Sequence, residues 1–349
     1  MEITERKKKI LKTVIKEYIM TAQPVGSRTL ARRYNFGVSS ATIRNEMADL
    51  EAAGYLEQPH RSAGRVPSDK GYRFYVDSLM NDEEEVLSPK EIEAIKREYN
   101  ESKAQEIQEL IRYTSQMLSD LTHYTSLASS PRMQKSIFQR LKLVPLTEEK
   151  LLIALVTDTG LVQDKVVETS SPISERELKK ISRFLNNRLS GLALQEIDKP
   201  LLSRISKELV NRVSVSKRDL AFLTAELFSK TSSTFDRVYL DGTTYILEQP
   251  EFDDITKVKE VLKVLEHKDL LQQILPEVEG SEGLEILIGE ENTREEIKDC
   301  SIVIATYNFK GRPVGKIGVL GPTRMDYSKV VSSVRYMSNF LSDFLTNKE

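Results

Sequence analysis

The chain has 349 residues, 39% of them hydrophobic, so it can bury a large core spread over roughly two or three domains. Its 51 Lys and Arg against 53 Asp and Glu leave it near neutral, which points to no partner as a whole, and its one cysteine, Cys300, excludes an intrachain disulfide and fits a reducing compartment. The charge is uneven, however: residues 1–75 carry 14 basic and 8 acidic side chains and the remainder 37 and 45, a basic head on an acidic body that points to a polyanion-binding module at the N-terminus.

The first apolar run, Ile10 to Met20, is interrupted by Lys12, Lys16 and Glu17, so it does not read as a signal peptide. It reads instead as a helix from about Thr4 to Thr21, with Ile10, Leu11, Val14, Ile15 and Tyr18 on the buried stripe and Lys7, Lys8 and Lys9 largely outside it. No apolar run reaches the length of a membrane span, and a soluble cytoplasmic protein is expected. Gln23-Pro24-Val25-Gly26 breaks the first helix, and Ser27 is expected to cap a short second one with Leu30 inward and Arg32 and Arg33 outward. A turn at Asn35-Phe36-Gly37-Val38 leads to Ser39, a natural N-cap, and a third helix whose stripe is Ile43, Met47 and Leu50 and whose stop is Gly54. The face opposite that stripe holds Ala41, Arg44, Asn45 and Ala48: two small residues that allow close approach, and two donors that suit guanine and adenine edges. Glu46, Asp49 and Glu51 crowd the second half, where they would repel phosphate, so the N-terminal half would lead into a groove. Any capped amphipathic helix shares this pattern; the neighbouring elements decide.

Tyr55 to Gln58, the basic loop Pro59-His60-Arg61-Ser62-Ala63-Gly64-Arg65 and the return through Val66 and Pro67 read as a hairpin, or wing, whose Arg61 and Arg65 would meet phosphates or a minor groove. Helix, helix, turn, helix and hairpin together predict a winged helix. Another helix begins at Ser68, and Asp82-Glu83-Glu84-Glu85 marks a linker. Ser88-Pro89-Lys90-Glu91 is a capping box opening a long charged helix to about Ser126, whose stripe of Ile95, Ile107, Leu110, Ile111, Thr114, Leu118 and Leu121 suits a core or a dimer seam. Strand-rich runs follow over 138–169, three helices from about Ser174 to Ser232, a hairpin of 238–240 with 244–246 turning at Asp241-Gly242, and a helix over 254–274. Strands return at 284–288, 301–309 and 316–320 before a closing helix over 327–345. Strand blocks on either side of a helical block predict one α/β sheet, 138–169 with 284–320, interrupted by an insertion.

Catalytic chemistry finds little support. His60, His123 and His267 lack metal-ligand spacing, and Gly311-Arg312-Pro313-Val314-Gly315-Lys316 is one residue short of a P-loop and continues with Ile317. Cys300 opens an apolar run and reads as a core thiol.

The runs Ala41-Thr42-Ile43-Arg44-Asn45-Glu46-Met47, Leu50-Glu51-Ala52-Ala53-Gly54-Tyr55-Leu56 and Ser62-Ala63-Gly64-Arg65-Val66-Pro67 closely resemble the HrcA family of heat-inducible transcription repressors. The likeness continues through Pro24-Val25-Gly26-Ser27, Lys70-Gly71-Tyr72-Arg73, Val156 to Val162, Gly315 to Pro322 and the last helix. The resemblance implies an α+β multidomain protein: a winged helix-turn-helix over 1–80, a linker and long helix over 81–130, a GAF-like domain over 131–171 plus 253–349, and an inserted dimerising domain over 172–252. It implies repression of chaperone operons through an inverted-repeat operator (CIRCE) bound by a homodimer, with support from the chaperonin GroEL. No cofactor, metal or membrane is expected. In this reading Arg44 and Asn45 contact bases beside Ala41, Ser39, Ser40 and Thr42 contact phosphates, and Lys7, Lys8, Lys9, Arg32, Arg33, Arg61 and Arg65 supply electrostatic affinity. A metabolite-sensing regulator, with an effector in the GAF-like domain, is the other function considered.

Overall fold

The computed structural model describes residues 3–80, 87–102, 107–131, 136–227, 238–267, 270–271, 274–275 and 283–347; the acidic run 82–85 and residues 228–237 lie outside them. Thr4 caps α1 (Glu5–Thr21), which ends at Ala22 in the left-handed region. The second helix, α2 (Ser27–Arg33), starts one residue earlier than the sequence reading has it: Gly26 is its N-cap, without a side-chain cap bond, and Ser27 is helical. In the turn to α3 (Ser40–Ala52), Gly37 takes φ +67° and donates its N–H to Asn35 Oδ1 at 3.1 Å. Ile10, Leu11, Val14, Ile15, Leu30, Ile43, Met47 and Leu50 meet in one core. The strands β1 (Leu56–Glu57) and β2 (Val66–Pro67) pair antiparallel, and Val25 bridges to Arg65 as a third rung. Ser68 then caps α4 (Asp69–Phe74), which runs on as a π-helical turn, Tyr75–Leu79.

The capping box at Ser88 forms as expected: Glu91 Oε2 accepts from the Ser88 N–H at 2.7 Å, and Ser88 Oγ accepts from the Glu91 N–H at 3.3 Å. It opens α5 (Pro89–Ser102), and α6 spans Ile107–Thr122. The stripe of these helices is core: Ile95, Leu110, Ile111 and Leu118 are buried in the cluster that holds the C-terminal helix, Tyr327–Asn347. The predicted helix to Ser126 stops earlier, because His123 takes φ 55° and the chain turns into β3 (Thr125–Ser129).

Three further strands, β4 (Phe138–Pro145), β5 (Lys150–Thr157) and β6 (Val162–Glu168), make a separate antiparallel sheet in that order. The single interrupted sheet expected from the sequence is therefore not formed. Leu141, Leu151, Ile153 and Leu155, the inward side of this sheet, share a core with α7 (Glu175–Leu189), α8 (Lys199–Val210) and α9 (Lys217–Leu227), whose inward residues include Ile181, Leu185, Ile205, Leu220 and Leu223. Apolar partners close by in the chain satisfy these strands, so they have no need of the strands after residue 283.

The larger sheet has the order β7-β3-β10-β9-β8, all antiparallel, with β7 at Val238–Asp241, β8 at Leu284–Ile288, β9 at Cys300–Phe309 and β10 at Arg312–Pro322. The predicted hairpin at Asp241-Gly242 is absent. Val238–Asp241 pairs with Ser126–Ser129, and Thr243–Glu248 is a 3₁₀ helix. One face of this sheet is covered by α6 and the C-terminal helix, and the other by α10 (Ile255–Glu266) with Leu271, Ile274 and Leu275.

Side chains join these parts. Arg312 pairs with Asp158 between the two sheets, and Asp158 Oδ1 also accepts the Ile137 N–H at 2.7 Å. Arg324 donates to the Ile19 carbonyl of α1 at 2.6 Å and to Glu251 at 2.5 Å. Arg73 of α4 donates to the Ile286 carbonyl at 2.6 Å and pairs with Glu291. Tyr72 and Tyr327 pack rings 5.7 Å apart across the same seam.

Within the smaller sheet's domain, Asp219 at the start of α9 accepts from the Ser170 N–H at 2.9 Å, the Ser171 hydroxyl at 3.0 Å and the Ser216 hydroxyl at 2.7 Å. Burial pushes this carboxyl up, but those hydrogen bonds outweigh it and hold it below the usual carboxylate range. A carboxylate lowered on folding stabilises fully above its unfolded value, and the contribution is lost as pH falls through the folded value. Asp219→Asn is expected to unfold at lower urea than the parent at pH 7, with the difference shrinking as the titration is repeated at pH 5, 4 and 3. A constant difference across that range would overturn the assignment.

Candidate nucleic-acid interface

The third helix buries Ile43, Met47 and Leu50 and leaves Ala41, Arg44, Asn45 and Ala48 exposed, the face the 3.6-residue period predicts. Ser39 fixes its start: Oγ accepts the Thr42 N–H at 3.2 Å and lies 3.1 Å from the Thr42 hydroxyl. Ser40 is the first helical residue, so the free amides of the first turn point past Ser39 and Ser40, where the helix dipole favours an anion.

The three acids of this helix are internally paired. Glu46 takes Arg6 at 2.7 Å and Lys7 at 3.8 Å, Asp49 takes Lys7 at 2.9 Å, and Glu51 takes Arg65 at 2.7 Å. The hydrogen bond to Asp49 raises the Lys7 ammonium above its ordinary value. Glu17, buried in α1, likewise accepts from Arg33 at 2.7 Å and from the Tyr34 hydroxyl. That bond to Glu17 holds the Tyr34 phenol above its usual value.

The expected cations therefore divide. Lys7, Arg33 and Arg65 belong to ion pairs that hold α1, α2, α3 and the hairpin together. Lys8 pairs with Glu5 one turn back on α1 at 2.7 Å. Lys9 lies 5.6 Å over the Phe36 ring and 3.5 Å from the Asn35 carbonyl. Arg32, Arg44 and Arg61 are exposed and make no ion pair among the described residues.

The structure adds Arg28, which the sequence reading left out. It is exposed in the first turn of α2 and lines a cleft of about 330 Å³ with Ser27, Arg44, Gln58, Arg61, Ser62 and Arg65. In the sequence Arg28 is one basic residue just past a helix start, and nothing local sets it apart from Arg32 and Arg33. No acidic side chain lines this cleft. The arrangement offers hydrogen-bond donors and positive charge, with no nucleophile and base at reacting distance.

Among the described residues no group of His, Cys, Asp and Glu is placed to hold a metal, and no helix is long and apolar enough to cross a membrane. Cys300 is buried, and burial pushes its thiol up to about 12.

Residues 108–331 match the family model described as the HrcA protein C-terminal domain. The chain is 46% identical over 349 residues to the heat-inducible transcription repressor HrcA of Natranaerobius thermophilus, covering 100% of this chain and 99% of that one. It is 43% identical over 345 residues to the protein of the same name from Pelotomaculum thermopropionicum, covering 99% and 97%. Among solved structures, a crystal structure of a hypothetical protein has the same fold, with a TM-score of 0.65 at 23% identity over the whole of both chains.

Proposed function

This chain belongs to the HrcA family of heat-inducible transcription repressors, and from that premise we propose that its N-terminal module is a winged helix-turn-helix that sets the N-terminal half of α3 into the major groove of an inverted-repeat operator, CIRCE. The observation that carries the reading is the exposed face of α3, Arg44 and Asn45 beside Ala41 and Ala48, opening on a cleft without acids. Arg44 and Asn45 contact base edges, and Ser39, Ser40 and Thr42 position the helix start on phosphate. Arg28, Arg32 and Arg61 supply free positive charge, with Lys8 and Lys9 at the margin. Repression follows from occupancy: the bound protein excludes polymerase from the promoter, in the cytoplasm, and no chemical step is performed.

An inverted repeat calls for two copies related by a twofold axis. The outer face of β4–β6 suits that contact. Val144, Leu152 and Val166 stand side by side across the sheet, Val156 faces Val162, and Val162 and Val166 are half exposed. In this reading the larger sheet takes the GAF-like role and the β4–α9 region the dimerising one, in place of the expected 131–171 plus 253–349 and 172–252, because β4–β6 share a core with α7–α9 and Val238–Asp241 joins the larger sheet.

Chaperonin support has a physical ground in the connectivity. The strand β3 pairs with Ile317–Leu320 across the entire β4–α9 region, so loop entropy is lost before the sheet's contacts form. Meanwhile the run Ile302 to Thr306, buried over Ile302–Ala305 when folded, stays exposed and prone to aggregate.

Arg44→Ala is expected to cost about 1–3 kcal/mol on the inverted repeat and to narrow the gap between operator and random duplex in electrophoretic shifts at two salt concentrations. An unchanged ratio of specific to random binding would remove α3 as the reader. Val166→Lys is expected to lower the mass seen in sedimentation by about half, from one charge in a desolvated face; a variant that stays dimeric would move the contact elsewhere. Operator binding recovered after dilution from denaturant should rise when chaperonin and ATP are present, and equal, near-complete recovery in both would mean the chain folds unaided.

A further inference from the structure

The loop between β1 and β2 is built before any DNA arrives, and the side chain of its first residue does most of the building. Gln58 Nε2 donates to the Arg61 carbonyl at 3.1 Å and to the Ala63 carbonyl at 3.0 Å. A carboxamide NH₂ carries two hydrogens, so it serves both carbonyls at once, and within the loop the Ala63 N–H closes a turn onto the His60 carbonyl at 2.9 Å.

The base of the loop is held separately. The Val25 N–H and carbonyl both bond to Arg65, at 2.8 and 2.9 Å, and a Cβ on Gly64 would sit 2.4 Å from the Val25 carbonyl oxygen. Only glycine allows that approach. The Arg65 guanidinium is tied to Glu51. With the base pinned, the tip that carries Arg61 depends on Gln58.

Arg61 lines the same cleft as Arg28, on the hairpin side where Arg28 is on the α2 side, and neither makes an ion pair among the described residues. We infer that Gln58 is a positioning residue that holds Arg61 opposite Arg28, so that the cleft grips one sugar–phosphate backbone of the duplex beside α3. The inference rests on the winged-helix reading above and adds to it one residue, Gln58, and the opposed placement of Arg28 and Arg61. A preformed loop binds without first being ordered, which spares the entropy of fixing its backbone at each encounter. A backbone grip carries no sequence information of its own, so its signature is electrostatic.

The test uses the full chain and two duplexes, the inverted repeat and a random sequence, with binding followed by fluorescence anisotropy over a series of salt concentrations. Arg28→Ala and Arg61→Ala should each weaken both duplexes about equally and flatten the plot of log affinity against log salt by about one unit. Gln58→Met, which keeps the length of the side chain and loses both donors, should reproduce the Arg61→Ala loss and slope while melting at the parent's temperature. Gln58→Met combined with Arg61→Ala should bind no more weakly than Arg61→Ala alone, whereas Gln58→Met combined with Arg28→Ala should show both losses. Gln58→Ala serves as a second variant with the same expected pattern. A parental slope in Gln58→Met, or a full additional loss on top of Arg61→Ala, overturns the positioning role. A parent chain that does not prefer the inverted repeat would instead overturn the reading of the module itself.

Discussion

Arg324 is the point at which separate parts of the chain become one object. Its side chain is one-tenth exposed, and its guanidinium reaches the Ile19 carbonyl at the end of α1, Gln249, and both oxygens of Glu251. Burial penalises this cation, and the hydrogen bonds and charge of Glu251 more than offset it, leaving its pKa raised. Removing either member of such a pair strands the other in a site with little water, which is why a buried pair constrains geometry even where it adds little net stability. Arg73 makes a second, more exposed tie from α4 to the Ile286 carbonyl and Glu291. Between the two ties lies a continuous apolar seam, Tyr72 and Tyr75 from one side and Tyr327 and Val330 from the other. The direction in which α3 points is therefore set by the whole body and not by the first eighty residues alone.

Charge in the N-terminal module has two uses, and composition cannot separate them. The excess of basic over acidic residues in 1–75 is legible at once. Yet the acids that would have repelled a duplex, Glu46, Asp49 and Glu51, are each matched by a cation from α1 or the hairpin. Those cations brace α3 from behind. What is left uncommitted in front is Arg28, Arg44 and Arg61, together with Arg32 at the end of α2. Basic residues that are paired and basic residues that are left uncommitted look alike along the chain and differ only in whether an acid is folded against them.

The same distinction explains what the sequence made legible. The third helix was readable because it is buried on one side only: its period, its Ser39 cap and its exposed Arg44 and Asn45 follow from one stripe, Ile43, Met47 and Leu50. The capping box at Ser88 was readable because it is local. Strand β3 was not, since Thr125-Ser126-Leu127-Ala128 is buried on both faces and shows no alternation; hydroxyls there satisfy one another, Ser126 bonding to Ser115 at 2.8 Å. Asp241-Gly242 carried a hairpin signal with no hairpin, because the preceding strand pairs with β3 and the following residues, Thr243–Glu248, coil into a 3₁₀ helix. The sheet to which 138–168 belongs could not be decided by pattern, as alternating strands fit any apolar surface, and α7 to α9 supply the nearest one. Arg28 and Gln58 gained meaning only when the hairpin folded back toward α2.

These ties also rank the joints of the molecule by stiffness. In the proposed dimer, two reading helices must keep the separation of successive half-sites on one face of the duplex. That separation runs from the contact on β4–β6, through the Asp158–Arg312 pair, across the larger sheet, and through Arg324 and Arg73 to α3. The last joint is buried and backed by an apolar seam; the first is an ion pair whose members are one-fifth and about one-third exposed. Exposed pairs hold position weakly and are screened by salt. The domain built on β4–β6 has a core of its own, so it keeps its shape whichever way that joint sits. In the proposed dimer the reading helix is thus tied to its body through a buried joint, and the domain that would pair is tied to the same body through a more exposed one.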